Sequence, residues 1–440
     1  MNNDIKGNYW LIKQTIIYGI AGGIDALASF ILIPIYTHKF SPDTYGTLQM
    51  FNLFLSISSK ICSLGMTNSY LRAYHIFREY PSSSILEVAI TLQIIAVGIF
   101  VILITIIANL PVDITYFIGS YWTSSLFILL ILALISSLVV GIVFSHLRSQ
   151  ENASRFTRMA AIGAASNIFL NLLFIYPFNL GFEGIILSNI ISNFILCICI
   201  LEKPSFSIFS NFAHLRAISG HLLSFGLPLV PAAMGMWVID LSDRYILNVY
   251  HGETTVGIYS LGYKYASIIL ICITMLHTAW IPALLRTYRE AKRGVFIRFF
   301  SISALSGLGL VFLIELALYL IRKPVISLIS SPEYHGAEQI IGPILMGMFF
   351  YAIYYLLTGI AFVEGKNQSV LIGSTVGAIV NIGLNIAWIP KYEALGAAWA
   401  TCFGYATFAL ATYCYLRPFG KNSLFAGNQD PVSIVGKTVD

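Results

Sequence analysis

At 440 residues, with 57% hydrophobic and only 10% charged residues and a mean hydropathy of +0.80, the chain has too little polar surface to clothe a soluble globule of its length. Irregular backbone cannot face lipid, so its membrane spans are helices or a closed barrel. Continuous apolar runs such as Leu126 to Phe144 exclude the alternating pattern of barrel strands and leave an all-α integral membrane protein.

Taken in chain order, the apolar stretches predict about twelve spans of about 20 residues or more. They run over about 13–36, 45–71, 85–110, 119–145, 158–177, 182–201, 220–247, 255–284, 296–320, 338–363, 368–389 and 394–416. The first stretch is long enough to span and has no small-residue cleavage site after it, so it reads as span one and not as a cleavable signal. Six spans precede the segment Glu202–Ser219 and six follow it, which gives both halves the same orientation.

Two short motifs support a duplicated chain. Asn-Ile-Phe-Leu-Asn at 167–171 returns as Asn-Ile-Gly-Leu-Asn at 381–385, an offset of 214, and Asp-Thr-Tyr-Gly at 43–46 has a counterpart in Thr-Thr-Val-Gly at 254–257, an offset of 211. The expected organisation is two parallel six-helix lobes around a central cavity, residues 1–203 and 220–417. An amphipathic cytoplasmic linker over 204–219 joins them, and a Gly/Asn/Ser-rich tail over 418–440 reads as disordered.

Lysine and arginine placement orients the spans. With the N-terminus cytoplasmic, 18 of the 25 fall in cytoplasmic segments, 5 on the opposite side and 2, Lys60 and Lys264, within spans. That bias puts both termini in the cytoplasm. It also accounts for the net charge of +5 without a nucleic-acid partner. All six cysteines sit in apolar segments without paired loop spacing and read as small core hydrophobes, not as a disulfide or metal framework.

Polar residues at helical spacing mark candidate cavity walls. In span two, Gln49, Asn52, Ser56, Lys60, Ser63 and Thr67 share one helix face. Shifted by 211, span eight shows Ser260, Tyr263, Ser267, Ile271, Thr274 and Thr278, with Lys264 beside them. Span one carries Gln14, Tyr18, Gly22, Asp25 and Ser29, and span seven carries Trp237, Asp240 and Arg244. Ser and Thr in such stripes also serve ordinary interhelical packing, so the full charges carry the argument.

Lys60 lies 12 residues from Arg72 and 14 from Gly46, roughly 18 to 21 Å from either end at 1.5 Å per residue. A central charge costs about 2.5 to 3.5 kcal/mol on insertion scales, so it must face protein or water. Asp25 is equally central, and a simple ion pair with Lys60 is a complete alternative reading for it. Lys264 is 7 residues past Gly257 and within reach of the outer interface. Asp240 and Arg244 can satisfy each other at i, i+4. Asp243 reads as solvated, His277 as a hydrogen-bonded core residue, and Glu315 as a weaker candidate for a ligand or proton role. Tyr351, Tyr354, Tyr355, Tyr259, Tyr263 and Tyr265 read chiefly as interface anchors. No nucleotide-binding loop, zinc site or nucleophile triad is evident, so neither catalysis nor a cofactor is expected.

Three degenerate blocks, correct in order and spacing, resemble a known family. They are Ile33-Pro34-Ile35-Tyr36-Thr37 with Phe40-Ser41-Pro42 and Tyr45-Gly46, then Gly226-Leu227-Pro228-Leu229-Val230-Pro231 with Leu241-Ser242-Asp243-Arg244-Tyr245, and then Ile389-Pro390-Lys391-Tyr392 with Leu395-Gly396-Ala397-Ala398. The chain thereby resembles the Wzx-type polysaccharide flippases of the multidrug/oligosaccharidyl-lipid/polysaccharide exporter superfamily, over nearly its whole length. The resemblance implies alternating-access passage of a polyprenyl-pyrophosphate-linked oligosaccharide across the bacterial inner (plasma) membrane, for O-antigen and lipopolysaccharide, capsule or exopolysaccharide synthesis. Its partners would be that lipid-linked glycan, membrane lipid and other polysaccharide assembly proteins. Lys60, Lys264 and Arg244 are then the cations available to a pyrophosphate, with Asp25 and Asp240 among the substrate-binding candidates and Gln49, Asn52, Ser56, Ser63 and Tyr263 lining the cavity. A multidrug/cation antiporter shares the architecture, but a cavity for cationic drugs favours acidic residues. A glycan polymerase or membrane glycosyltransferase needs a sizeable external loop or a catalytic acidic cluster, and the loops here are short.

Overall fold

In a computed structural model, the structure describes residues 23–24, 26–77, 79–108, 123–201, 212–290, 293–366 and 368–416. Among them every regular element is a helix and none is a strand. The helices are α1 (26–39), α2 (Pro42–Cys62), α3 (Met66–Ile76), α4 (Ser82–Ala108), α5 (Ser124–Ser149), α6 (Ala153–Ile175) and α7 (Glu183–Ile200). They continue as α8 (Phe212–Gly226), α9 (Leu229–Ala266), α10 (Ile268–Glu290), α11 (Arg293–Ile329), α12 (Ala337–Val363) and α13 (Gln368–Leu416), with one 3-10 turn at Pro332–Tyr334.

Among the described residues, eight helical stretches are long and apolar enough to cross a membrane. One of them, Gln368–Leu416, has 49 residues, about 74 Å if straight at 1.5 Å per residue, against a hydrocarbon core of about 30 Å. It is two spans, because Glu393 leaves helical geometry at φ 50, ψ −135. α9 is divided in the same way at Gly252, with φ 74 and ψ −178. These breaks separate predicted spans eleven from twelve and seven from eight and raise the eight stretches to ten; α1 and α2, at the places of predicted spans one and two, bring the helices to about twelve.

The chain divides into two compact units, residues 1–241 and 242–440, with the boundary inside α9. In the first unit, α2 starts at the N-cap Ser41, whose side chain accepts from the Thr44 N–H, followed by Pro42 at the first helical turn and Asp43 where the helix dipole favours an acid. It does not run on to residue 71. Leu64 and Gly65 adopt left-handed φ of 50° and 67°, and α3 begins at Met66. The core below this break joins Met66, Tyr70 and Ala73 to Ile85, Leu86 and Ala89 of α4, Ile142 of α5, and Ile218 and Leu222 of α8. Of the expected linker, 204–211 lies outside the described residues. Residues 212–219 open α8, which buries Ile218 and exposes Arg216, an amphipathic pattern.

In the second unit, small residues let helices approach closely. The ideal Cβ position of Gly347 stands 3.0 Å from the backbone of Cys402, and that of Gly404 lies 2.9 Å from Asn381, across the two halves of α13. The outward faces are apolar. Ile302, Leu305, Leu313 and Leu320 of α11 and Ile95, Ile99 and Ile102 of α4 are exposed, as lipid-facing positions must be.

Candidate functional site

The repeated asparagine motif folds into the same contact in both units. Asn171 Nδ2 donates to Asn167 Oδ1 at 3.1 Å, and Asn385 Nδ2 donates to Asn381 Oδ1 at 3.1 Å. One helical turn separates the members of each pair, so one amide can reach the next along a single face. Asn171 also accepts the Tyr36 hydroxyl at 2.9 Å, and Asn167 donates to Asn189 of α7 at 2.8 Å, joining three helices of the first unit.

The two lysines expected within spans both sit in the last turn of a helix, although α2, which carries Lys60, is not among the eight apolar stretches. Lys60 is in the last turn of α2 and exposed; Lys264 is in the last turn of α9 and half-buried. Among the described residues neither forms an ion pair. On the polar face of α2, Gln49, Ser56 and Ser63 are half-buried and Asn52 is exposed, while Leu48, Phe51 and Leu53 are buried. Asp25 lies outside the described residues, as does the side chain of Asp240.

Arg244 is 8% exposed and meets Ser260, Tyr263 and Tyr259 among the described residues. Its Nε donates to Ser260 Oγ at 3.2 Å, and its guanidinium lies 4.8 Å from the Tyr263 ring centre and 5.9 Å from that of Tyr259. A planar, weakly hydrated cation suits an aromatic face. Lys264 follows Tyr263 directly in the chain, and the buried carboxyl of Asp243 precedes Arg244. Tyr263 Oη lies 3.4 Å from the hydroxyl of Tyr405, whose ring is tilted at 41° against that of Tyr351 with ring centres 4.7 Å apart.

Asp243 departs from expectation. It is 2% exposed instead of solvated. Its Oδ2 accepts the Tyr259 hydroxyl at 2.5 Å and its Oδ1 accepts the Arg244 N–H at 2.7 Å. Counting residues from a span end placed it near water, whereas Tyr259, 16 residues on, comes back from the next span to cover it. No local sequence signal announces a partner at that distance. His277 behaves as expected, with Nε2 3.3 Å from Thr358 Oγ1 and its ring edge-on to Tyr355 at 4.6 Å. With Trp280, Ser303, Gly307 and Tyr355 it lines a cavity of about 90 Å³. Glu315 is 6% exposed and its Oε1 has no hydrogen-bond partner among the described residues.

The arrangement can neutralise an anion within the membrane; among the described residues no group of acids and histidines could hold a metal ion. The chain is similar to Lsg locus putative protein 1 of Haemophilus influenzae, 21% identical over 383 residues, covering 86% of this chain and 91% of that one. Among solved structures it is similar to the lipid II flippase MurJ in an inward closed conformation, with a TM-score of 0.66, 16% identity and coverage of 91% of this chain and 87% of that one. An inward-facing multidrug resistance MATE family transporter matches with a TM-score of 0.66 at 16% identity, over 97% and 96% of the two chains. A single-residue mutant of the Vibrio cholerae MATE transporter VcmN matches with a TM-score of 0.61 at 15% identity, over 95% and 98%. These likenesses show the fold, and the family comes from the chain itself: residues 11–288 match the family model described as polysaccharide biosynthesis protein, and the chain belongs to that family, as its resemblance to the polysaccharide flippases implied.

Proposed function

We propose that this protein is a flippase that carries a polyprenyl-pyrophosphate-linked oligosaccharide across the bacterial inner membrane by alternating access, for assembly of a surface polysaccharide such as O-antigen, capsule or exopolysaccharide. The support for the reading is a lysine in the last turn of one helix of each unit, Lys60 of α2 and Lys264 of α9, both expected within spans and with no ion pair among the described residues, in a chain of the polysaccharide biosynthesis family. A lysine ammonium in hydrocarbon is costly enough to need a compensating use, and a pyrophosphate supplies concentrated negative charge. Arg244 adds a third cation beside Lys264. Gln49, Asn52, Ser56, Ser63 and Tyr263 supply polar contacts for the sugars, and Asp25 and Asp240 tune the cations. Both termini face the cytoplasm on this reading, and the six-helix lobes expected over 1–203 and 220–417 are the two moving parts.

The test is flipping in proteoliposomes loaded with a fluorescent polyprenyl-pyrophosphate oligosaccharide. The wild-type protein is expected to expose the label to an external quencher, and the Lys60→Ala, Lys264→Ala double variant to lose that activity while reconstituting at the same level. Wild-type flipping by the double variant would remove both lysines from the mechanism. Transport of cationic drugs without glycan transport would favour the antiporter reading.

A further inference from the structure

Lys60 and Lys264 share three hydrogen bonds that the sequence alignment at offset 211 does not bring together, although the backbone turns left-handed at Leu64 and Gly65 after the first and breaks only at Ser267 after the second. In the first unit, Ser63 Oγ donates to the Lys60 carbonyl at 3.0 Å, Ser63 N donates to Ser59 O at 2.9 Å, and Met66 N donates to Ser63 O at 2.8 Å. In the second unit, Ser267 Oγ donates to the Lys264 carbonyl at 2.8 Å, Ser267 N donates to Tyr263 O at 2.8 Å, and Leu270 N donates to Ser267 O at 3.0 Å. All three bonds correspond at an offset of 204, from Lys60 to Lys264 and from Ser63 to Ser267. In both places a helix ends at the residue before the serine, and another begins within three residues.

Serine bonds to a carbonyl one turn back occur elsewhere on these helices, as at Ser136 and Ser149. The helix break is what gives these two a different task. In an unbroken helix the Lys60 carbonyl would take the Leu64 N–H, but Leu64 N turns to Ile61 O at 3.3 Å, and the serine hydroxyl replaces the missing donor. Ending the helix just past the lysine also places the ammonium by the negative end of the helix dipole, where a cation is favoured.

We propose that the Lys-x-x-Ser helix breaks at Lys60 and Lys264 are a duplicated anion-receiving element, in which Ser63 and Ser267 are positioning residues that hold the two lysines for a phosphate group, whereas the same bond at Ser369 holds Lys366, a lysine already paired with Glu364. The inference rests on the reading of both lysines as headgroup cations and adds the serines and the break to it.

The experiment measures binding of polyprenyl pyrophosphate to the full-length protein in detergent micelles by thermophoresis. Lys60→Ala and Lys264→Ala are expected to weaken binding by about tenfold or more, the loss of a charged contact. Ser63→Ala and Ser267→Ala should each weaken it by about fivefold, one hydrogen bond. Ser63→Thr and Ser267→Thr, which keep the hydroxyl, should restore it, and Ser63→Ala should add nothing to Lys60→Ala because the serine acts through the lysine. Wild-type affinity in both serine-to-alanine variants, with weakened lysine variants, overturns the positioning role alone. So do losses that Thr does not repair or that add fully to the lysine's. Wild-type affinity in both lysine variants overturns the headgroup reading and this inference with it.

Discussion

Gly226 of α8 lies backbone to backbone against Leu64, so that a methyl group on Gly226 would overlap the Leu64 carbonyl oxygen. The contact seats the end of α8 on the break between α2 and α3, and Ser69 Oγ adds a bond to the Leu222 carbonyl at 2.6 Å one turn away. Neither partner is a side chain that can turn aside. Gly226→Ala is expected to destabilise the first unit by about 1 to 3 kcal/mol, the usual range for overpacking. A lower thermal midpoint in fluorescence-detected gel filtration checks it, with Gly98→Ala as control because nothing lies within 4 Å of its Cβ position. An unchanged midpoint would mean that the two backbones are not in contact.

Tyr259→Phe removes the donor to Asp243 Oδ2 and leaves a carboxyl buried at 2% exposure one bond short. The expected loss is about 1.5 to 3 kcal/mol. Combining it with Asp243→Asn should cost less than the sum of the two, because both act on one bond. Full additivity in thermal midpoints would show that the pair does not interact.

Backbone strain makes opposite predictions at the two mid-helix breaks. Glu393 holds φ 50 with an exposed side chain, so Glu393→Gly should stabilise the second unit by about 1 kcal/mol. Gly252 holds φ 74 with open space at its Cβ position, so Gly252→Ala should destabilise by a similar amount through the backbone alone. Thermal midpoints that move together in the two variants would contradict this account.

The charge bias predicts the sidedness of the chain. Fluorescent protein fused after Asp440 should fold and fluoresce in the cytoplasm, and alkaline phosphatase fused at Asp113 should be active outside it. An active phosphatase at the C-terminus would overturn the orientation and the even number of spans.

Much of the fold was legible because hydropathy alone separates lipid-facing helices from loops. The asparagine repeat was legible as matched letters, and each copy makes the same 3.1 Å amide contact. The break at Ser63–Gly65 was not. Ile61-Cys62-Ser63-Leu64-Gly65 continues an apolar helical pattern, and Leu64 is a residue type that seldom takes a left-handed φ. Aligning the halves through Gly46 and Gly257 set Lys60 against Ile271, whereas the bonding sets it against Lys264, two helical turns away. Segment length between the outer turn and the break differs between the halves, and no composition signal reports such a deletion. Asp243 was misread for a related reason, since its partner Tyr259 belongs to the next span.

The pairing across Gly252 also bears on how the chain enters the membrane. Asp243 meets Tyr259 and Arg244 meets Ser260, each 16 residues ahead. A nascent helix carrying that aspartate and arginine alone would face about 2.5 to 3.5 kcal/mol per charge on leaving the translocon. The groups that cover both charges are made only when the ribosome has added the following segment. Spans seven and eight are therefore built to leave the translocon as one helical hairpin, and a pause in synthesis just after Gly252 would strand the first arm in its least favourable state.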